Sequence, residues 1–160
     1  MNHSSSTKPC YCCSGQLYTN CCQPLLCGQA TAKSPLELMR SRYAAFATNN
    51  TDYINKTMTN EAAQQTSTDA ENIQPIWKRL EILQAPAANG CSGEVEFIAH
   101  CQLGNKQQQI HEHSLFEKID NEWFYTGAKS HRINTIKPQR NSHCPCGSGL
   151  KYKKCCIHKH

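Results

Sequence analysis

The sequence lacks long apolar runs. No stretch reaches the roughly 18 consecutive apolar residues that a membrane-spanning helix needs, so we expect no membrane insertion. Residues 1–9 are polar and lack the apolar core of a secretory signal peptide. These two absences favour a soluble chain in the cytoplasm, where thiols stay reduced.

Cysteine is abundant instead, and positive charge is distributed unevenly. The chain has 12 cysteines among 160 residues. In a reducing compartment, a patterned set of this size indicates metal binding rather than a disulfide framework. The formal net charge is +5. Segment 137–160 contains lysines and arginines but no acidic residue, and it therefore forms a local basic patch.

The two ends of the chain carry the same pattern, C-x-C-x8-C-C. Each copy has Ser-Gly inside it and a tyrosine three residues before the last cysteine pair. Identical register of all these residues indicates a true repeat. The repeated cysteines are Cys10, Cys12, Cys21 and Cys22 near the N-terminus, and Cys144, Cys146, Cys155 and Cys156 near the C-terminus.

The spacing suits one four-thiolate metal ion in each repeat. Zinc takes four donors in a tetrahedron, with Zn–S bonds of about 2.3 Å. Disulfides within such short spacings are strained, and the familiar iron–sulfur spacings differ. We predict two Zn²⁺ ions per chain, in closed sites that are structural. Lys151, Lys153 and Lys154 lie among the C-terminal ligands, where they offset thiolate charge and are candidate partner-binding residues.

Between the repeats, the first half of the chain has helical spacing. Residues 34–37 form a capping box with proline at the first helical position, and apolar residues continue at three- and four-residue spacing to Ala47. Thr51 is expected to cap a second, short helix. A third helix is predicted from about 69 to 80, with its apolar residues on one face.

The second half alternates with a period of two, which indicates strands. Strands are predicted over 94–103, 108–119 and 123–126, and residues 80–84 open the sheet. Helices followed by an antiparallel meander predict an α+β fold with helices on one face of a curved sheet. The expected domains are an N-terminal metal module at 1–30, an α+β domain at 31–136 and a C-terminal metal module at 137–160.

The motif C-x-C-x-S-G-x5-C-C resembles the SEC-C module, named after the zinc-binding tail of the preprotein translocase motor ATPase. The C-terminal copy matches specifically, with Arg140-Asn141 before its first cysteine and Lys-Tyr-Lys-Lys before its last pair. In the N-terminal copy, Tyr11 replaces the usual proline and Cys13 the usual glycine. Cys13 adds a fifth thiol, so ligand exchange at that site stays open. The resemblance implies the eight repeated cysteines as ligands.

The resemblance extends over the whole chain. Two SEC-C modules flanking the segments 40–46, 112–116 and 123–125 are similar to the arrangement in YchJ-like bacterial proteins. The resemblance implies a middle domain similar to the nuclear-transport-factor-2-like (cystatin-like) cone. That family has no established activity, so it implies a fold and metal ligands but no reaction.

Three histidines are candidate pocket residues. His111 and His113 lie two apart on a predicted strand, and His100 lies on the strand before it. They either line the cone pocket or face solvent beside charged neighbours, and the second interpretation is favoured because fold does not determine function. Arg40 and Arg42 cannot face the same way on a helix, and one is expected to pair with a strand carboxylate.

We therefore predict a zinc-binding adaptor whose SEC-C modules dock a protein or ribonucleoprotein partner, with the cone as scaffold. The related translocase tail implies contacts with proteins or the ribosome. Direct nucleic-acid binding has weaker support, since Tyr152 is the one aromatic residue among the basic residues of the tail. The alternative is an enzyme or small-ligand-binding protein that uses the cone pocket, with purely structural zinc modules.

Overall fold

The computed structural model describes residues 7–66, 74–144, 146 and 148–157. Helices come first and an antiparallel sheet follows, so the predicted α+β order is confirmed. The helices are α1 (Gln23–Leu26), α2 (Pro35–Ala47), α3 (Thr51–Lys56) and α4 (Asn60–Thr66). The strands are β1 (Ile76–Gln84), β2 (Ser92–Leu103), β3 (Lys106–Ile119) and β4 (Glu122–Ile136), in spatial order β1-β2-β3-β4. In this described part of the chain, no helix is both long and apolar enough to cross a membrane.

Side-chain caps begin helices α2 and α3. Ser34 Oγ accepts a hydrogen bond from the backbone N–H of Glu37 at 3.2 Å, as the capping box predicts. At the second helix the prediction is off by one residue. Asn50, and not Thr51, is the cap, because its Oδ1 accepts from the backbone N–H of Tyr53 at 3.1 Å.

The predicted third helix is wrong where the structure describes it. Residues 76–80 belong to β1, which pairs antiparallel with β2, and residues 69–73 lie outside the described residues. The register shifts between Trp77 and Arg79. This bulge puts Trp77 and Leu80 opposite buried residues of β2 although they are three apart. The spacing of these two apolar residues therefore imitates a helix.

One face of the sheet forms the core with the helices. Inward residues of β2 are buried, and they alternate with partly exposed ones, as the period of two predicts. Cys101 is among the buried residues. Phe116, Trp123 and Tyr125 extend this core across β3 and β4. Gly93 lets strand β2 pack closely against the start of α2, because a Cβ atom there would overlap the ring of Pro35.

Strand β4 is much longer than predicted. It runs to Ile136 and stays paired with β3 as far as Gln107. Its residues from 128 onward are exposed, so the strand does not show the alternation of apolar and polar residues on which the prediction depends. The pairing of β3 and β4 extends the sheet well beyond the part that the helices cover.

Candidate metal centres

The four N-terminal cysteines converge on one point. Their sulfur atoms all lie within 4.8 Å of one another. Cys12 and Cys21 have an Sγ–Sγ distance of 3.6 Å, and Cys21 and Cys22 one of 3.8 Å. Sulfurs at the corners of a tetrahedron with Zn–S bonds of about 2.3 Å are about 3.8 Å apart. The cluster therefore has the size and the donor set of a four-thiolate metal site.

A short hairpin builds this cluster. Pro9 and Leu17 form an antiparallel bridge, and the backbone N–H of Cys10 donates to the carbonyl of Gln16 at 2.8 Å. Gly15 supplies the positive φ of 80° that the turn needs. The hairpin brings the C-x-C pair beside the 3₁₀ turn Tyr18–Asn20, which leads directly into the last two cysteines.

The C-terminal cluster repeats this construction. His143 and Lys151 form the bridge, and the backbone N–H of Cys144 donates to the carbonyl of Leu150 at 2.7 Å. The Sγ–Sγ distances are 3.4 Å between Cys146 and Cys155 and 3.8 Å between Cys155 and Cys156. The sequence repeat is therefore also a structural repeat.

Hydrogen bonds within each cluster favour the thiolate form of one cysteine, and they raise the pKa of Cys10, Cys22 and Cys156. Side-chain hydrogen bonds from Cys10 and Cys22 lower the pKa of Cys12 far below its ordinary value. In the C-terminal cluster, hydrogen bonds from Ser148 lower the pKa of Cys146 to about 6. Thiolates are the form of cysteine that binds metal. The repeated Ser-Gly thus contributes to the chemistry as well as to the turn: Ser14 and Ser148 lie 3.3 and 3.2 Å from the sulfurs of the equivalent Cys21 and Cys155.

Cys13 lies outside the N-terminal group of four. Its backbone has a positive φ of 58°, the conformation that glycine adopts most easily. Its Sγ accepts from the backbone N–H of Leu80 at 3.5 Å. The fifth thiol is therefore directed at strand β1.

The N-terminal cluster is joined to the core of the middle domain. Cys10, Cys12 and Cys22 are buried in one cluster with core residues of α2 and the sheet. Arg40 Nη1 also donates to the carbonyl of Cys12 at 2.7 Å. This arginine therefore binds the N-terminal four-cysteine cluster and not a strand carboxylate. The sequence repeat carries no sign of this contact, because Arg40 lies outside it.

The C-terminal cluster is attached differently. In the described part of the chain, the hydrogen bonds that its backbone and side chains make stay within residues 139–157. Lys151 and Lys154 are exposed and Lys153 is half-buried. The two modules share a construction but differ in how they meet the domain between them.

The three candidate histidines lie on the outer face of the sheet. His111 Nε2 is 2.7 Å from Glu96 and His113 Nε2 is 3.1 Å from Glu94. His100 Nε2 is 3.7 Å from a carboxylate oxygen of Glu81 on β1. The interpretation that these histidines line the cone pocket is wrong, because strand alternation turns them away from the helices. His111 and His113 pair with carboxylates on that face, whereas Nε2 of His100 is buried and has no hydrogen-bond partner among the described residues.

Comparison with known proteins gives the family. Residues 34–128 match the family model described as "YchJ, middle NTF2-like domain". A UPF0225 protein of Photorhabdus laumondii is 41% identical over 160 residues, which covers 94% of this chain and 99% of the relative. The chain belongs to the YchJ-like UPF0225 family. A UPF0225 protein of Geobacter sulfurreducens is 38% identical, in an alignment that covers 94% of this chain and 98% of the relative.

Two solved structures agree with this assignment. The chain is similar to a SEC-C motif containing protein from Rhodopseudomonas palustris, with a TM-score of 0.65 and 34% identity, over 77% of this chain and 98% of that one. It is also similar to a SEC-C motif containing protein from Psychrobacter arcticus, with a TM-score of 0.63 and 30% identity, over 94% and 96%. A SEC-C family model matches residues 140–157. The predicted cone fold with two flanking four-cysteine clusters is thereby confirmed.

In this UPF0225 protein, a cavity of about 420 Å³ lies between the sheet and helices α2 and α3. Most of its lining is apolar, and Arg42, Glu112, Tyr125 and His131 are among its polar residues. Sequence reasoning missed His131 as a pocket residue, because it follows the predicted end of β4. It gave Glu112 no role either, although this residue lies in a segment that carried the family resemblance.

Arg42 is buried beside this cavity. Its Nη1 donates to the carbonyl of Ile54 at 2.8 Å and to Oγ1 of Thr57 at 2.7 Å. Its guanidinium lies 4.7 Å from the ring centre of Tyr125, a cation–π distance. Burial lowers the pKa of Arg42 to about 10, so it remains charged at neutral pH. No ion pair of Arg42 or Arg40 with a carboxylate occurs among the described residues, and the predicted pair is wrong.

Proposed function

We propose that this protein is a zinc-binding adaptor. Each SEC-C module holds one Zn²⁺, and the C-terminal module docks a protein or ribonucleoprotein partner, including ribosome-associated ones. The cone domain is the scaffold, and the setting is the reducing cytoplasm. The ligands in this proposal are Cys10, Cys12, Cys21 and Cys22, and Cys144, Cys146, Cys155 and Cys156.

The donor set supports zinc as the metal. Four thiolates with no oxygen donor disfavour Mg²⁺ and Ca²⁺, and tetrahedral sulfur sites are typical of zinc. Four protein ligands also leave no position for water or substrate, so the ion is structural. Its role is to hold each short hairpin, which lacks a core of its own, in one conformation.

The adaptor proposal depends on how the C-terminal module is attached to the cone and on what its surface exposes. Its hydrogen bonds stay within residues 139–157 in the part of the chain described here, so none of them fastens the module to the cone. Its contact with the cone is a cavity that Arg140, Tyr152 and Ile157 line together with Asn105, Lys106 and Ile136. Lys151 and Lys154 are exposed, and Leu150 beside them is 52% exposed. An apolar residue among positive charges suits an acidic partner surface, because charge complementarity selects and orients the partner.

Charge reversal tests this docking surface. We compare captured partners of the intact protein with those of a triple variant, Lys151→Glu, Lys153→Glu and Lys154→Glu, in reducing buffer. A matched variant carries Lys56→Glu, Lys118→Glu and Lys129→Glu on the cone. The proposal expects specific partners to be lost with the first variant and kept with the second. Capture with and without nuclease separates protein from ribonucleoprotein partners.

Two results would count against the adaptor. One is an unchanged set of partners after charge reversal in the C-terminal module. The other is equal loss with both variants, which would indicate a general effect of net charge. Zinc content must stay constant in each variant for the comparison to hold. The three histidines lend no support to the rival function, an enzyme or small-ligand-binding protein that uses the cone pocket, because they lie on the outer face of the sheet.

A further inference from the structure

A buried positive charge at the cone cavity lacks an ion-pair partner. Arg42 is only 5% exposed and lines the cavity. No carboxylate of the described residues comes within ion-pair distance of it. Burying a charge is costly unless it is paired and hydrogen-bonded. The site therefore favours a negative charge beside the guanidinium.

Part of the guanidinium also remains available as a hydrogen-bond donor. Nη1 is used by Ile54 and Thr57. Nη2 and Nε donate to no acceptor among the described residues. These two nitrogens form the edge of the guanidinium that binds a carboxylate in a bidentate manner.

The carboxylate of the cavity does not fill this role. Glu112 accepts hydrogen bonds from Ser114 Oγ at 2.6 Å, from the Tyr125 hydroxyl at 3.1 Å and from His131 Nδ1 at 2.7 Å. This network holds Glu112 and orients the ring of His131, which is 47% exposed at the cavity. His131 thus adds a second polar group at the same cavity as Arg42.

We propose that the cone cavity binds a small monocarboxylic acid with an aromatic or branched aliphatic body. The carboxylate accepts hydrogen bonds from Nη2 and Nε of Arg42, with His131 as a neighbouring polar contact. The body of the ligand lies against apolar lining residues such as Phe46, Trp77 and Phe97. A volume of about 420 Å³ is in the range of pockets that bind small organic molecules.

The residues that line the cavity favour a carboxylic acid over a phosphate ester as the ligand. A phosphate ester carries more charge than one guanidinium neutralises, and it usually meets several cationic or backbone donors. Only Arg42 and His131 are basic residues in this lining. A single carboxylate with an apolar body suits Arg42, because the cavity's own carboxylate, Glu112, is already held by Ser114, Tyr125 and His131. This proposal goes beyond the adaptor function and does not depend on it.

Ligand titration of the full-length zinc-loaded protein tests the proposal. The probes are benzoate, phenylacetate and 3-methylbutanoate, each compared with its primary amide of the same shape. ¹H–¹⁵N NMR follows the Nε–H of Arg42 and the indole N–H of Trp77. We expect saturable shifts of both signals by at least one acid and binding at least tenfold tighter than by its amide, which is about 1.4 kcal/mol.

Variants locate the binding. Arg42→Gln should abolish the preference for acids over amides. It also removes the bonds to Ile54 and Thr57, so Ala99→Met is the second variant, because its longer side chain occupies the cavity and leaves Arg42 in place. Ala99→Met should abolish binding. His131→Ala should weaken acid binding several-fold, whereas His111→Ala should not change it, although His111 has the same 2.7 Å pair with a glutamate.

Three outcomes would overturn the proposal. They are the absence of saturable binding of every acid below about 10 mM, equal binding of acids and amides, and undiminished binding by folded Ala99→Met protein. Zinc content and partner capture are not affected by any of these outcomes. Failure of the ligand site is therefore distinguishable from failure of the adaptor.

Discussion

The unequal attachment of the two metal modules predicts unequal effects of equivalent mutations. Cys22 and Cys156 are the last cysteines of the two repeats, and they are 1% and 5% exposed. In the proposed zinc sites, serine at either position removes one ligand and releases one ion. We expect Cys22→Ser to destabilise the cone domain and Cys156→Ser to leave it nearly unchanged.

The contacts of the N-terminal module give the magnitude. The hydrogen bond from Arg40 to the carbonyl of Cys12 involves a charged donor and contributes about 1.5–3 kcal/mol. The bond from the N–H of Leu80 to Cys13 is neutral and contributes about 1 kcal/mol. Release of the hairpin should therefore cost about 2.5–4 kcal/mol, or a fall in Tm of about 5–16 °C for a chain of this size. For Cys156→Ser we expect less than about 2 °C.

Tryptophan fluorescence measures this difference directly. Both tryptophans, Trp77 and Trp123, lie in the sheet of the cone domain, so their thermal transition reports the domain and not the modules. Cys27→Ser is the control, because Cys27 is exposed and outside both clusters. Equal falls in Tm for the two cluster variants, or no fall for Cys22→Ser, would refute the reasoning.

Two further substitutions test individual positions. Cys13→Gly should leave the zinc content unchanged, because its sulfur faces the N–H of Leu80; loss of one zinc by metal analysis would make Cys13 a ligand. Gly93→Ala should destabilise the domain by about 1–3 kcal/mol in chemical denaturation, since its Cβ would overlap the ring of Pro35. Adding Pro35→Ala should restore part of this loss, and strictly additive effects would contradict the overlap.

The two four-cysteine clusters were the most predictable part of the molecule. Each is built within 13 consecutive residues, so the spacing of the cysteines is enough to indicate that their sulfurs meet. The helix cap at Ser34 and the alternation of β2 are likewise local signals. The prediction of a helix in place of β1 was wrong for a local reason too. The bulge beside Trp77 gives the apolar residues of this strand the spacing of a helix.

The residues at the cavity could not be found in this way. Arg42, Glu112 and His131 meet only through the pairing of β3 with β4 and the packing of α2 on the sheet. His131 lies in a polar stretch that has no strand signal of its own. The contact of Arg40 with Cys12 spans 28 residues. Such contacts depend on strand register and on helix packing, and the spacing of apolar residues along the sequence does not specify either of them.

Metal analysis of the intact protein tests the central claim most directly. The protein, purified without added metal in reducing buffer, should contain about two zinc ions per chain. Cys156→Ser should retain about one, with the Trp77 and Trp123 transition unchanged. A zinc content near zero in the intact protein, or iron in place of zinc, would contradict the account.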